Sequence, residues 1–222
     1  METTGRDIGG GNGVTYSLIV FDRERKLLGI GVVSGSIAVG SRVPWARAGV
    51  GGVVTQGYTN PSLGPRILDL LEEGYSCRDA LYKALESDPE PCLRQVAVLK
   101  WGGVDKEFYC GEGLPEEYSG YASGYCIAVA NLVVSKDIPR IMCETYNTVY
   151  NTRHNIVEAI IEALYRAHLL GGDKRGDHSS ALLVVGETLY GKTYDKIIDL
   201  RIDYSEDPIE ELRRLYNMVK TI

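Results

Sequence analysis

LLGIGVVSGSIAVGSRVPWARAGVGGVVTQGYTNPSLGP, residues 27–65, decides the fold. The stretch holds nine of the 26 glycines and only two charges, Arg42 and Arg47. Apolar β-branched runs at 31–33, 37–39 and 50–55 are broken by serine and glycine. That is the pattern of consecutive strands buried on both faces rather than of a helix. Glycine inside such strands marks a bend or the close approach of another backbone or a ligand. The two arginines need partners, since an unpaired charge in apolar surroundings is costly. They are either ion-paired struts or groups that recognise an anion.

Upstream, VTYSLIVFD places Val14, Tyr16, Leu18 and Val20 at alternating positions, and the charged DRERK turn joins it to LLGIGVVS as a hairpin. Residues 1–13 contain five glycines and little that could be buried. They read as a flexible tail ahead of a single domain, residues 14–222.

Downstream, helices are expected at 63–73, closed by Gly74, and from a Ser76/Asp79 capping box to about 88. Strands follow at 94–100, 107–110 and 125–134, with the LPEEYSGYASG segment between the last two as a loop. Helical periodicity covers 139–150 and 155–169, then strands return at 181–185 and 198–204. Asp207, Pro208 and Glu210 open a last helix. Strand groups that alternate with helix pairs through hairpin-length connections argue for two mainly antiparallel sheets flanked by helices.

A length of 222 residues allows a substantial core, and a net charge of −6 with pI ≈ 5.2 gives no footprint for nucleic acid. No run reaches the ~18 apolar residues of a membrane span, and the N-terminus lacks a signal-peptide core, so the expectation is a cytoplasmic protein without a membrane partner. The five cysteines are odd in number and never form CxxC, so they read as small buried hydrophobes. His154, His168 and His178 show no metal-ligand spacing, and neither metal nor cofactor is expected. GETLYGKT, 186–193, satisfies the phosphate-loop pattern, but residues 198–204 alternate as a strand where a helix should face the phosphates.

Three segments carry a resemblance: SIAVGSRVPWARAGVGGVVTQGYTNPSLGPRILDLLEEG (36–74), GGDKRGDHSSALLVV (171–185) and DLRIDYSEDPIEELRRL (199–215). With TYSLIVFD, they resemble domain-of-unknown-function family 1028, an uncharacterised family similar to the N-terminal-nucleophile (Ntn) hydrolases. The resemblance implies an α+β fold, a four-layer αββα sandwich, and an Ntn-type amidohydrolase acting on an amide-type bond in a small substrate.

In such enzymes the side chain of residue one attacks, with its own α-amine as base. Thr15 holds the matching position and would be exposed by autocatalytic cleavage or by translation starting at codon 14. Ser34 stands where superfamily members carry an acid that orients a lysine. Arg47 could lower the nucleophile's pKa. Ser36, Gly51 and Gly52 could offer oxyanion donors, and Asp173, Lys174 and Arg175 could bind a charged substrate group or form a capped turn. The expected partners are a small-molecule substrate or ligand and further copies of the chain. A non-catalytic ligand-binding or assembly protein, and a phosphate-loop nucleotide binder, are the alternatives.

Overall fold

The structure is a computed structural model and describes residues 15–115 and 117–220; the expected tail, 1–13, lies outside them. The hairpin at the start forms as the alternation predicts, from β1 (Thr15–Asp22) and β2 (Leu27–Ser34). Asp22 closes its turn by accepting the Glu24 and Arg25 N–H groups at 2.9 Å each. There follow β3 (Pro44–Arg47), β4 (Gly51–Gly57), α1 (Leu63–Glu72), α2 (Cys77–Leu85), β5 (Arg94–Lys100), β6 (Lys106–Cys110), β7 (Ser119–Ser123) and β8 (Cys126–Asn131). The chain continues through α3 (Ile138–Arg153), α4 (Ile156–Leu169), β9 (Ser179–Val185), β10 (Lys196–Ile202) and α5 (Pro208–Val219). None of these helices is long and apolar enough to cross a membrane.

The strands make two antiparallel sheets, one ordered β10-β9-β2-β1-β8-β7 and the other β3-β4-β5-β6. Period-two alternation in β1 explains why its whole length is buried. Tyr16, Leu18 and Val20 meet Met142, Ile160 and Leu164 of α3 and α4. Ile19 and Phe21 turn the other way, toward Val54, Ala97 and Leu99 of the second sheet. Helices α1 and α2 cover that sheet's outer face through Ile67, Leu71 and Leu81.

Helix α4 lies close on β2 because β2 has glycines where it crosses. A Cβ on Gly29 would stand 2.5 Å from Ile160 Cδ1, and one on Gly31 2.5 Å from Ile160 Cγ2. The helix ends follow their sequence signals. Ser76 accepts the Asp79 N–H, Asn155 accepts those of Val157 and Glu158, Asp207 accepts that of Glu210, and Gly74 turns with φ +103°.

Three expectations are corrected, at 37–39, within the LPEEYSGYASG segment and at two of the cysteines, while the reading against a phosphate loop holds. The strand expected at 37–39 is a single 3₁₀ turn, Val39–Ser41, after a left-handed Ala38. Its donors go elsewhere, Ala38 N–H to the Asp203 carbonyl and Val39 N–H to Ser179 Oγ, as the chain crosses between sheets. Within the expected LPEEYSGYASG loop, residues 119–123 form the edge strand β7, where Gly120 lies against the Phe108 ring.

The phosphate-loop pattern at 186–193 ends in one 3₁₀ turn, Gly191–Thr193, and leads into β10, so no helix N-terminus faces a phosphate. Lys192 is 93% exposed there, which removes the nucleotide-binding alternative's anchor. Two of the cysteines are not free hydrophobes: Cys126 and Cys143 form a disulfide between β8 and α3, 17 residues apart in sequence. Packing α3 on β8 brings them together, which spacing alone could not show.

Two outcomes follow. Gly31→Val should destabilise by about 1–3 kcal/mol through overpacking against Ile160, read as a lower denaturation midpoint. Reducing the disulfide should cost about 3 kcal/mol, as expected for a loop of this length, in denaturation with and without reductant.

Candidate active site

The strand registers assemble a row of polar side chains across four neighbouring strands. Ser179 of β9 opposes Ser34 of β2, Ser34 opposes Thr15 of β1, and Thr15 opposes Asn131 of β8. Residues directly opposite share a face, so all four look into the space between the sheets at the end where β1 begins. None is more than 3% exposed. Burying so many polar groups is costly unless each finds a partner.

The partners are present. Thr15 Oγ1 lies 3.1 Å from Ser34 Oγ, which also accepts the Ser36 N–H at 3.0 Å. Ser179 Oγ donates to the Ser36 carbonyl at 2.5 Å. From the facing sheet, Gln56 donates to the Thr15 carbonyl at 3.0 Å and to Gln95 Oε1 at 2.7 Å, and accepts from Ser17 Oγ at 2.6 Å. Asn131 donates to the same Gln95 oxygen at 2.9 Å, while Gln95 Nε2 donates to the Ala130 carbonyl at 3.0 Å. Thr15 is thus held on its carbonyl by one sheet and on its hydroxyl by the other.

A second set of bonds fixes the end of β2. Asp173 accepts the Gly35 N–H and, at 2.8 Å, the Arg175 N–H, and pairs with the Arg175 guanidinium at 3.3 Å. Asp177 accepts the Asp173 N–H at 3.1 Å, the Tyr16 hydroxyl at 2.6 Å and a contact from His168 Nδ1 at 2.8 Å. Burial first, then the two aspartates, push the Tyr16 phenol well above its ordinary pKa, so it stays protonated and donates. The 171–177 loop is therefore a latch behind Thr15 and Ser34, and its Lys174 pairs with Glu117 at 2.7 Å.

Of the residues singled out from sequence, the structure brings together Thr15, Ser34 and Ser36, with Asp173 and Arg175 behind them. It does not bring Arg47, Gly51 or Gly52 to this place. Gly51 and Gln56 are five residues apart on β4, roughly 16 Å at the rise of a strand. Arg47 pairs with Glu72 at 2.6 Å and Asp69 at 2.9 Å on α1, and those bonds raise its pKa against the opposing effect of burial. It is the ion-paired strut of the two readings. Gly52 makes room for Leu28 Cδ2, which would stand 2.7 Å from a Cβ there. The expected oxyanion donor at Ser36 is also engaged, its N–H by Ser34, as is the neighbouring Gly35 N–H by Asp173.

Gln56, Gln95, Asn131, Ser179 and Tyr16 belong to the site without being candidates from the sequence, whereas Asp177 lies in the charged loop read as one. Gln56 and Gln95 carried a signal, a lone amide in each of two mainly apolar strands, VVTQG and RQVAVL. Among the described residues, no group of three or more His, Cys, Asp or Glu side chains is placed to hold a metal ion.

Gln95→Leu removes the oxygen that two buried amides share. Each orphaned donor should cost ~1–3 kcal/mol, seen as a lower urea midpoint at unchanged m. An unchanged midpoint would show the network to be dispensable.

The chain belongs to the family of unknown function DUF1028, whose profile matches residues 15–212 and so begins on the first residue of β1. A crystal structure of protein SPO2555 from Silicibacter pomeroyi, described with the same family, superposes with a TM-score of 0.81. It is 23% identical, and the match covers 92% of this chain and 88% of that one. At that identity the likeness is one of fold. A search of curated proteins finds no match.

Proposed function

We propose that the chain is an Ntn-type hydrolase that cleaves an amide-type bond in a small-molecule substrate, with Thr15 as nucleophile once it is N-terminal. The observation that carries this reading is the position of Thr15. It is the first residue of a central strand, its hydroxyl is 3.1 Å from Ser34 Oγ, and it lies between Ser34 and Asn131. The helix–sheet–sheet–helix layering is the one expected of Ntn hydrolases, and the family match starts at this residue.

With residues 1–14 removed, the α-amine of Thr15 would sit beside its own hydroxyl. It would take the Oγ1 proton as the oxygen attacks the substrate carbonyl, then return that proton to the departing amine. Water, activated by the same amine, would release the acid from the Thr15 ester. Ser34 Oγ holds the attacking oxygen in one rotamer, and the Gln56 bond to the Thr15 carbonyl fixes the residue behind it. No acid–lysine pair takes part: a serine occupies the acid's place.

The test compares the full chain with one in which Thr15 follows the initiator methionine directly and is exposed by its removal. Only the short form should hydrolyse members of an amide and ester panel. Its kcat/KM should rise with pH through about 7.7–8.0 as the amine loses its proton. Thr15→Ala should lower the rate by about 10³-fold or more, and Thr15→Ser should retain part of it. Inertness of the short form across the panel would overturn the enzyme reading and leave a ligand-binding or assembly protein.

A further inference from the structure

The opposite end of the sandwich carries a feature unrelated to Thr15. Between β9 and β10, residues 186–195 project a turn whose tip is apolar: Leu189 is 101% exposed, Tyr190 70% and Tyr194 54%, with Ile197 of the edge strand 46% exposed beside them. Four large apolar side chains within nine residues are a concentration that an isolated soluble surface does not need. The turn is ordered by its own bonds. Thr188 receives the Tyr190 N–H at 3.2 Å, Thr193 donates to the Tyr190 carbonyl at 2.6 Å, and the Tyr190 and Tyr194 rings meet edge to face at 6.2 Å.

Next to this tip is a groove of about 400 Å³ whose lining includes Leu27, Ala48, Gly49 and Trp101. Its lining also carries Arg25, Lys26 and Lys192 of one sign and Glu187 and Asp195 of the other. The knob and the hole are therefore neighbours on one face, and the charges around them are mixed.

We propose that this face pairs with a second copy of the chain about a two-fold axis, each copy seating its Leu189–Tyr190 tip in the other's groove. A two-fold contact uses the same patch on both partners, so it requires a patch that holds both a projection and its receptor, with charges of both signs. A foreign partner would require only one of the two. The four exposed side chains offer on the order of 500 Å² a side, a large part of the ~800 Å² of a standard interface, and the groove walls supply more. Edge pairing through β10 is not the mode. Lys196, Asp199 and Arg201 along it form charge pairs of 2.5 and 3.0 Å that blunt the edge.

Sedimentation velocity from about 1 to about 100 µM, which brackets a micromolar Kd, reads the pairing. The unaltered chain should be a dimer. Leu189→Asp breaks the tip, Ala48→Arg fills the groove, and each should weaken pairing by about 100-fold or more while circular dichroism stays unchanged; Tyr190→Ser is a second tip variant should Leu189→Asp misfold. Mixing the tip variant with the groove variant should restore a heterodimer, since one intact tip then meets one intact groove. A monomer throughout, a dimer indifferent to both changes, or no heterodimer on mixing overturns the proposal.

Discussion

The close approach of apolar side chains to glycine backbone is the constraint on which the other layers depend. Gly29 and Gly31 let Ile156, Ile160 and Leu164 of α4 press onto β2, and Gly52 lets Ile19, Leu28 and Ile30 press onto β4 from the facing sheet. Strand β2 is thereby gripped from both sides. Interiors pack near crystal density, so a gap or an extra methyl group at these crossings would be felt through the stack. The glycines cost intrinsic strand stability, and burial of the large residues they admit offsets it.

That packing places the polar row. The middle of the space between the sheets is apolar, while its end at the start of β1 holds Thr15, Ser17, Ser34, Asn131, Ser179, Gln56 and Gln95. Seven buried polar residues are a departure from the pattern that best stabilises a core. Departures of this kind concentrate where a protein does its work. Here they fix one hydroxyl from several directions, and the Asp173–Asp177 latch fixes the strand end that carries its partner. A network satisfied to this degree is rigid, because losing Gln95 alone leaves the Gln56 and Asn131 amides without the acceptor they share.

The far end of the sandwich is arranged by different physics. Arg47 spends its charge on Asp69 and Glu72, so it ties β3 to α1. Disulfide Cys126–Cys143 ties β8 to α3 in a similar way. Bonds of that type belong to oxidising compartments and to the interiors of hyperthermophiles.

The alternation of VTYSLIVFD, the glycine-rich runs at 31–33 and 50–55, the helix caps at Ser76, Asn155 and Asp207 and the stop at Gly74 are local signals, and each produced its element. They follow from backbone geometry within a few residues, which a sequence carries in full. The two antiparallel sheets and their flanking helices were legible for that reason, and Thr15, Ser34 and Asp173 were legible as polar residues at strand ends or in a charged loop. What depends on register between distant strands was not. Ile37–Val39 has strand-forming residues, yet the donors of residues 38 and 39 go to Asp203 and Ser179, more than a hundred residues away. Arg47 belongs to the facing sheet, opposite Gly51, and so lies a length of β4 away from Gln56, which bonds the Thr15 carbonyl. The row Ser179–Ser34–Thr15–Asn131 exists only once β9, β2, β1 and β8 lie side by side. Local chemistry determined the elements; long-range pairing, which no short window contains, decided which side chains meet.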